Sequence, residues 1–169
     1  MNDEDLRAKL ALLRDGDKTA FEEIYTALKI PLFTLICRIT RDRGMAEDVM
    51  QEVFVKLYEQ PPEGMIRKPR AYLFQSARNL ALDTVRKRRQ DMSLTDCESG
   101  NPDHAGHSCL RLDLERALDA LPLEERQIVT LHLNGGLKFR EIADMLEIPL
   151  GTALWKYQKA LGRLRTALE

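Results

Sequence analysis

Few residues in this chain have the chemistry to break a bond or hold a metal. The cysteines are Cys37, Cys97 and Cys109; the histidines are His104, His107 and His132. An odd number of widely spaced cysteines gives no disulfide framework. Cys97, His104, His107 and Cys109 fall in one segment, but their spacing matches no common zinc pattern and the segment is loop-like. No Ser/His/Asp or Cys/His arrangement, phosphate-cradling glycine loop or pair of catalytic carboxylates is evident. The expectation is a non-enzyme with no catalytic residue, metal site or cofactor.

The remaining chemistry is charge-directed binding. Net charge is only −1, yet residues 67–89 hold eight basic residues and one acid, Asp83. Such a block is either an electrostatic footprint for nucleic acid or a solvated helix face. Turned about a helix axis, residues 70–89 put Leu73, Phe74, Ala77, Leu80, Ala81 and Val85 on one side. The other side carries Tyr72, Gln75, Ser76, Asn79, Asp83, Arg86 and Lys87. Cations neutralise phosphates, amides pair with base edges, and an aromatic ring stacks on an unpaired base. The mixture points to single-stranded or opening DNA. The plainer reading of Asp83 is a local ion pair with Arg86 or Lys87.

A second face is acidic. In residues 45–59, Met45, Ala46, Val49, Met50, Val53, Phe54 and Leu57 form a core side. Glu47, Asp48, Gln51, Glu52, Tyr58 and Glu59 form the opposite side, with Val55 among them. That is a docking patch for a basic, partly apolar protein surface, unless Val55 is a scattered surface residue. Near the C-terminus, residues 139–146, the turn Glu147-Ile148-Pro149 and residues 150–168 read as a helix-turn-helix. Small Ala143 lets the second helix cross closely. Ala153, Tyr157, Ala160, Leu161 and Leu164 are expected to face inward. Trp155, Gln158, Lys159, Arg163 and Thr166 are expected to face outward, with Lys156 on the flank.

The elements that position these faces are all helical. Ala and Leu are abundant, aromatics are 6% and charged residues 31% of the 169 residues. Asp17 and Thr19 can cap a helix that Pro31 interrupts or kinks; Asp42-Arg43-Gly44 reads as a turn. Pro61, Pro62 and Gly64 break the chain before the long basic helix. Residues 91–110 are rich in Ser, Asp, Asn, Gly, Pro and His and read as a flexible linker. Helical patterning resumes at 111–121, 124–133, 139–146 and 150–168. The fold class is therefore all-α: two small helical domains, 1–90 and 111–169, joined by that linker, the second ending in a helix-turn-helix. No run approaches the ~18 apolar residues of a membrane span, and the acidic N-terminus is no secretory signal. A cytoplasmic protein without membrane insertion is expected.

Taken in order, these blocks resemble extracytoplasmic-function sigma factors of the sigma-70 family. Residues 46–57 (Ala-Glu-Asp-Val-Met-Gln-Glu-Val-Phe-Val-Lys-Leu) resemble the family's core-polymerase-binding helix. The resemblance implies a sigma region 2-like domain in which Asp48, Gln51, Glu52, Val55 and Tyr58 meet core RNA polymerase. Residues 70–74, 77–83 and 86–89 resemble the minus-ten helix. They imply promoter contacts from Arg67, Lys68, Tyr72, Gln75, Asn79, Asp83, Arg86 and Lys87. The loop from Pro61 to Lys68 corresponds to the one that takes up a flipped base. Leu121-Pro122, Arg126, Gly135-Gly136-Leu137, Glu141-Ile142-Ala143 and Pro149-Leu150-Gly151-Thr152 resemble the minus-thirty-five domain, region 4. There Arg140, Thr152, Trp155, Lys156, Gln158, Lys159 and Arg163 would meet DNA.

One segment departs: the family's Val-Lys-Ser-Arg type sequence is here Ala153-Leu154-Trp155-Lys156. Trp155 is open to packing on a sugar, a thymine methyl, another protein or the linker. The resemblance further implies an anti-sigma factor as partner, and a linker whose acids (Asp91, Asp96, Glu98, Asp103) mimic nucleic-acid charge. The expected function is an alternative sigma factor that recognises both promoter elements and initiates transcription. The rivals are a sigma-like module that titrates an anti-sigma factor without touching DNA, and an ordinary helix-turn-helix repressor or activator. The latter leaves the acidic helix unexplained.

Overall fold

The structure is a computed structural model, described here for residues 1–92 and 109–169. The described residues form eight helices and no strand, in two compact units, Met1–Arg88 and Arg89–Glu169.

In the first unit, α1 (Asp3–Arg14) begins on a reciprocal cap: the Asn2 side chain accepts from the Asp5 N–H while the Asp5 carboxylate accepts from the Asn2 N–H. Its Leu6, Leu10 and Leu13 are buried, and it packs on α2 (Lys18–Thr40). Asp17 caps α2 through the N–H groups of Thr19 and Ala20. Pro31 lies inside α2, and the helix does not end there. The proline costs one backbone hydrogen bond, but Leu28, Leu32, Leu35 and Ile36 are buried on both sides of it and hold the helix together.

Helix α3 (Arg43–Glu59) starts earlier than its apolar pattern predicts. Asp42 accepts the Met45 N–H at 2.8 Å, so the expected turn is a cap followed by helix. Ala46, Val49, Val53, Phe54 and Leu57 are buried, and α3 packs on α2. Helix α4 (Pro69–Met92) has its proline in the first turn, where a missing N–H costs nothing. It runs three residues beyond the expected 70–89, because Gln90, Asp91 and Met92 carry no helix-stopping signal. The linker expected at 91–110 thus loses its first two residues to α4 and its last two to α5. The remainder, with Cys97, His104, His107 and the acids Asp96, Glu98 and Asp103, lies outside the described residues.

The second unit contains α5 (Cys109–Ala120), α6 (Leu123–Leu133), α7 (Phe139–Leu146) and α8 (Leu150–Leu168). Ala117, Leu121, Val129, Ala160 and Leu164 make a common core with Leu118 and Tyr157 against it. Leu161, expected inward, is 40% exposed. The seam of α8 runs through Ala160 and Leu164, one helical turn apart, and Leu161 falls beside it. Gly136 (φ +67°) and Glu147 (φ +55°) turn the chain after α6 and α7.

Candidate nucleic-acid and partner-binding surfaces

On α3 the acidic face is exposed: Asp48, Gln51 and Glu52 point outward, and Glu52 pairs with Lys56 at 2.7 Å. Val55 and Tyr58 are 43% and 45% exposed. They line a groove of about 730 Å³ between α2 and α3, with Phe21, Tyr25, Ile30 and Phe54. The rings interlock: Tyr25 lies 4.8 Å from Phe54 and Phe21 lies 5.1 Å from Tyr58, both edge-on. Val55 is therefore one wall of a continuous apolar groove and not a scattered residue. Sequence reasoning found only the α3 wall. The signal for the other was available: Tyr25, Ile30 and Phe33 extend the apolar residues of α2 beyond a single core stripe.

On α4, Leu73, Phe74, Ala77 and Ala81 are buried, while Tyr72, Gln75, Ser76, Asn79, Asp83, Arg86 and Lys87 are exposed. Asp83 does pair locally, with Arg86 at 2.9 Å. Asn79 accepts from Arg78 at 3.5 Å, a contact weak enough to leave its amide available. Tyr72, Ser76 and Leu80 line a pocket of about 310 Å³ with Lys56, Gln60 and Pro62. Farther along α4, Arg88 bonds Asp42 at 2.7 Å. The capping Met45 N–H, and then Arg88, hold the Asp42 carboxyl below its ordinary range.

The loop before α4 is held along its backbone by α1. Arg7 donates to the carbonyls of Ile66 (3.0 Å) and Arg67 (2.8 Å), and Arg14 to that of Gly64 (2.9 Å). Arg67 and Lys68 are exposed, as is Met65 at 86%.

In the second unit, α7 and α8 form the helix-turn-helix. His132, Phe139 and Tyr157 pack as a ring cluster, with centroids 4.2 to 5.2 Å apart, and His132 Nδ1 sits 2.9 Å from the Leu137 carbonyl. His132 is thus part of the packing. Two cations expected to meet DNA reach back to α6: Lys156 bonds Glu124, and Arg163 bonds the buried Glu125 at 2.8 Å. Arg140, Gln158 and Lys159 are exposed, and Thr152 is half-buried. Trp155 is 56% exposed, with Lys159 Nζ 4.5 Å from its ring centre. Among the described residues no cluster of His, Cys, Asp or Glu could hold a metal, and no helix is long and apolar enough to cross a membrane.

Two family models match the chain: Sigma-70 region 2 over residues 24–90 and Sigma-70, region 4 over residues 111–164. The ECF RNA polymerase sigma factor SigE of Mycolicibacterium smegmatis is 30% identical over 165 residues; these span 90% of this chain but only 64% of that protein. SigK of Mycobacterium ulcerans is 28% identical, covering 98% and 95% of the two chains, and SigW of Bacillus subtilis is 25% identical, covering 96% of each. The chain belongs to the sigma-70 family, as a factor of the extracytoplasmic-function type. Its fold is similar to that of CnrH in complex with the cytosolic domain of CnrY (TM-score 0.71, 20% identity, 97% of each chain). It is also similar to that of the sigma factor RpoE in complex with the anti-sigma factor NepR from Bartonella quintana (TM-score 0.69, 22% identity, 88% of this chain and 96% of that one).

Proposed function

We propose that this protein is an alternative sigma factor that binds core RNA polymerase, recognises minus-ten and minus-thirty-five promoter elements and initiates transcription. It acts in the cytoplasm and performs no catalysis itself. The observation that carries this reading is the exposed stripe of α4: an aromatic ring, amides and cations along one helix, beside a small pocket. Such a surface suits strands that are separating, since a duplex reader has no use for a stacking ring. The α3 face and its groove dock on polymerase through Asp48, Gln51, Glu52, Val55 and Tyr58. Arg67, Lys68, Tyr72, Gln75, Asn79, Asp83, Arg86 and Lys87 then meet the minus-ten strand. Extruding a base costs a few kcal/mol, which stacking and loop contacts offset.

The helix-turn-helix holds the upstream duplex through Arg140, Thr152, Trp155, Gln158 and Lys159. Lys156 and Arg163 shape that surface from its edge as well as adding charge. Two weak contacts on one chain raise each other's effective concentration, so neither domain needs tight affinity alone. An anti-sigma factor is the partner that would keep the chain inactive.

Run-off transcription with purified core polymerase tests the proposal. Transcripts with a defined start, absent without this chain, are expected; failure to bind core polymerase would refute it. The exposed Leu154 and Trp155 and the tethered Lys156 and Arg163 favour a second reading, an anti-sigma-titrating module that never touches DNA. Core binding without promoter-dependent transcripts would select that reading.

A further inference from the structure

Helix α1 lies before the segment that the region 2 family model matches, and its contacts are unusual in kind. Arg7 and Arg14 are seven residues, about two turns, apart and so share a face of the helix. Both guanidinium groups reach main-chain carbonyls of a single loop, those of Gly64, Ile66 and Arg67. Asp3, one turn earlier, accepts the Arg70 backbone N–H at 3.2 Å where the loop enters α4. The loop has no regular structure of its own between Gln60 and Pro69, and Gly64 adopts φ +75°. Three of its four carbonyls from 64 to 67 are thus held by charged donors from another helix, while the Met65 side chain stays 86% exposed. A segment fixed by its backbone, with Glu63, Met65, Arg67 and Lys68 exposed, is pre-ordered for a ligand and loses little freedom on binding.

We propose that Arg7 and Arg14 are positioning residues that set base selectivity at the minus-ten element by holding the loop of residues 60–68 in its base-accepting shape. This rests on the reading of the loop and α4 as the minus-ten surface. Arg7 carries the larger share, because it spans two successive carbonyls, whereas Arg14 holds one. Neither side chain touches DNA; both act through the path of the loop.

The test uses the full chain assembled with core polymerase and a pool of randomised duplex fragments, from which bound sequences are selected and read. Wild-type protein defines the base preferences at both elements. Arg7→Ala is expected to flatten the preference at the captured minus-ten position while leaving the minus-thirty-five preference and core affinity unchanged. Occupancy of the wild-type sequence should fall about tenfold, as expected for losing hydrogen bonds from a charged donor. Arg7→Lys should restore part of the preference. Arg14→Ala, at an exposed side chain, should give a smaller change of the same kind and covers the case in which Arg7→Ala folds poorly.

An unaltered minus-ten preference in Arg7→Ala and Arg14→Ala overturns the proposal. So does a uniform loss of both preferences and core binding, which would mark a merely structural role. If the wild-type protein binds core polymerase but selects no minus-ten sequence, the underlying reading of the loop falls instead, and this inference with it.

Discussion

Asp42 and Arg88 join the start of α3 to the far end of α4. One carboxylate oxygen caps α3 through the Met45 N–H at 2.8 Å, and the other accepts from Arg88 at 2.7 Å. The residue that begins the acidic helix therefore also holds one cation of the basic run.

Asp42→Asn keeps a capping oxygen but loses the ion pair. The pair is partly exposed, so the stability loss should be at most about 1 kcal/mol, read by urea unfolding. The native carboxyl is held below its ordinary value, so its contribution is complete above the unfolded pKa of about 4 and vanishes as pH falls through the lower native value. The gap between wild type and variant should close on acidification. With Arg88 released, binding to non-specific DNA should tighten and depend more steeply on salt.

Val55→Asp puts a charge in the wall of the α2–α3 groove. Val55 is 43% exposed, so thermal melting should change little. Core-polymerase affinity should fall by more than about tenfold, because that charge must be desolvated on docking. Pull-down with core polymerase, beside a melting curve, separates the two effects. Tyr58→Ala should weaken docking by about 1–2 kcal/mol and cost some stability as well, since its ring packs on Phe21.

Asn79→Ala should slow promoter opening at the protein's own promoter and leave core binding intact. Permanganate reactivity of thymines around the start site reports the opening. A template already mismatched across that region should restore most of the activity, because the strands need no longer be separated. Lost core affinity would mean that the α4 stripe serves polymerase instead.

Two residues one position apart on α8 should behave differently. Lys156→Ala breaks a pair with Glu124 and should lower the stability of the second unit by about 1 kcal/mol or less, for a partly exposed pair. Trp155→Ala removes an exposed ring and should leave melting unchanged while weakening binding to the upstream element. Polymerase footprints upstream of the start site, compared with calorimetric melting, test both.

The helices and their faces were legible because burial repeats with the helical period. Val49, Val53 and Leu57 announce the inner side of α3, and Leu73, Ala77 and Ala81 that of α4. Boundaries were less legible: Asp42 reads equally as a turn residue or a cap, and only its contact with the Met45 N–H decides. Least legible were the partners of long cations. Lys156 reads as a flanking charge, Arg163 as an outward one, and Arg7 carries no signal of its own, yet their acceptors stand 32, 38 and 59 residues away in the chain. Periodicity says which way a side chain points; it does not say what a flexible stem will meet there.

Trp155 is the chain's one tryptophan, and its indole stands in the open on α8 beneath an ammonium group. The unlabelled protein thus carries a single optical beacon at the surface proposed to meet the upstream promoter element. Any body that settles over that helix, nucleic acid or protein, will alter its emission, so each approach can be timed by fluorescence without attaching a dye.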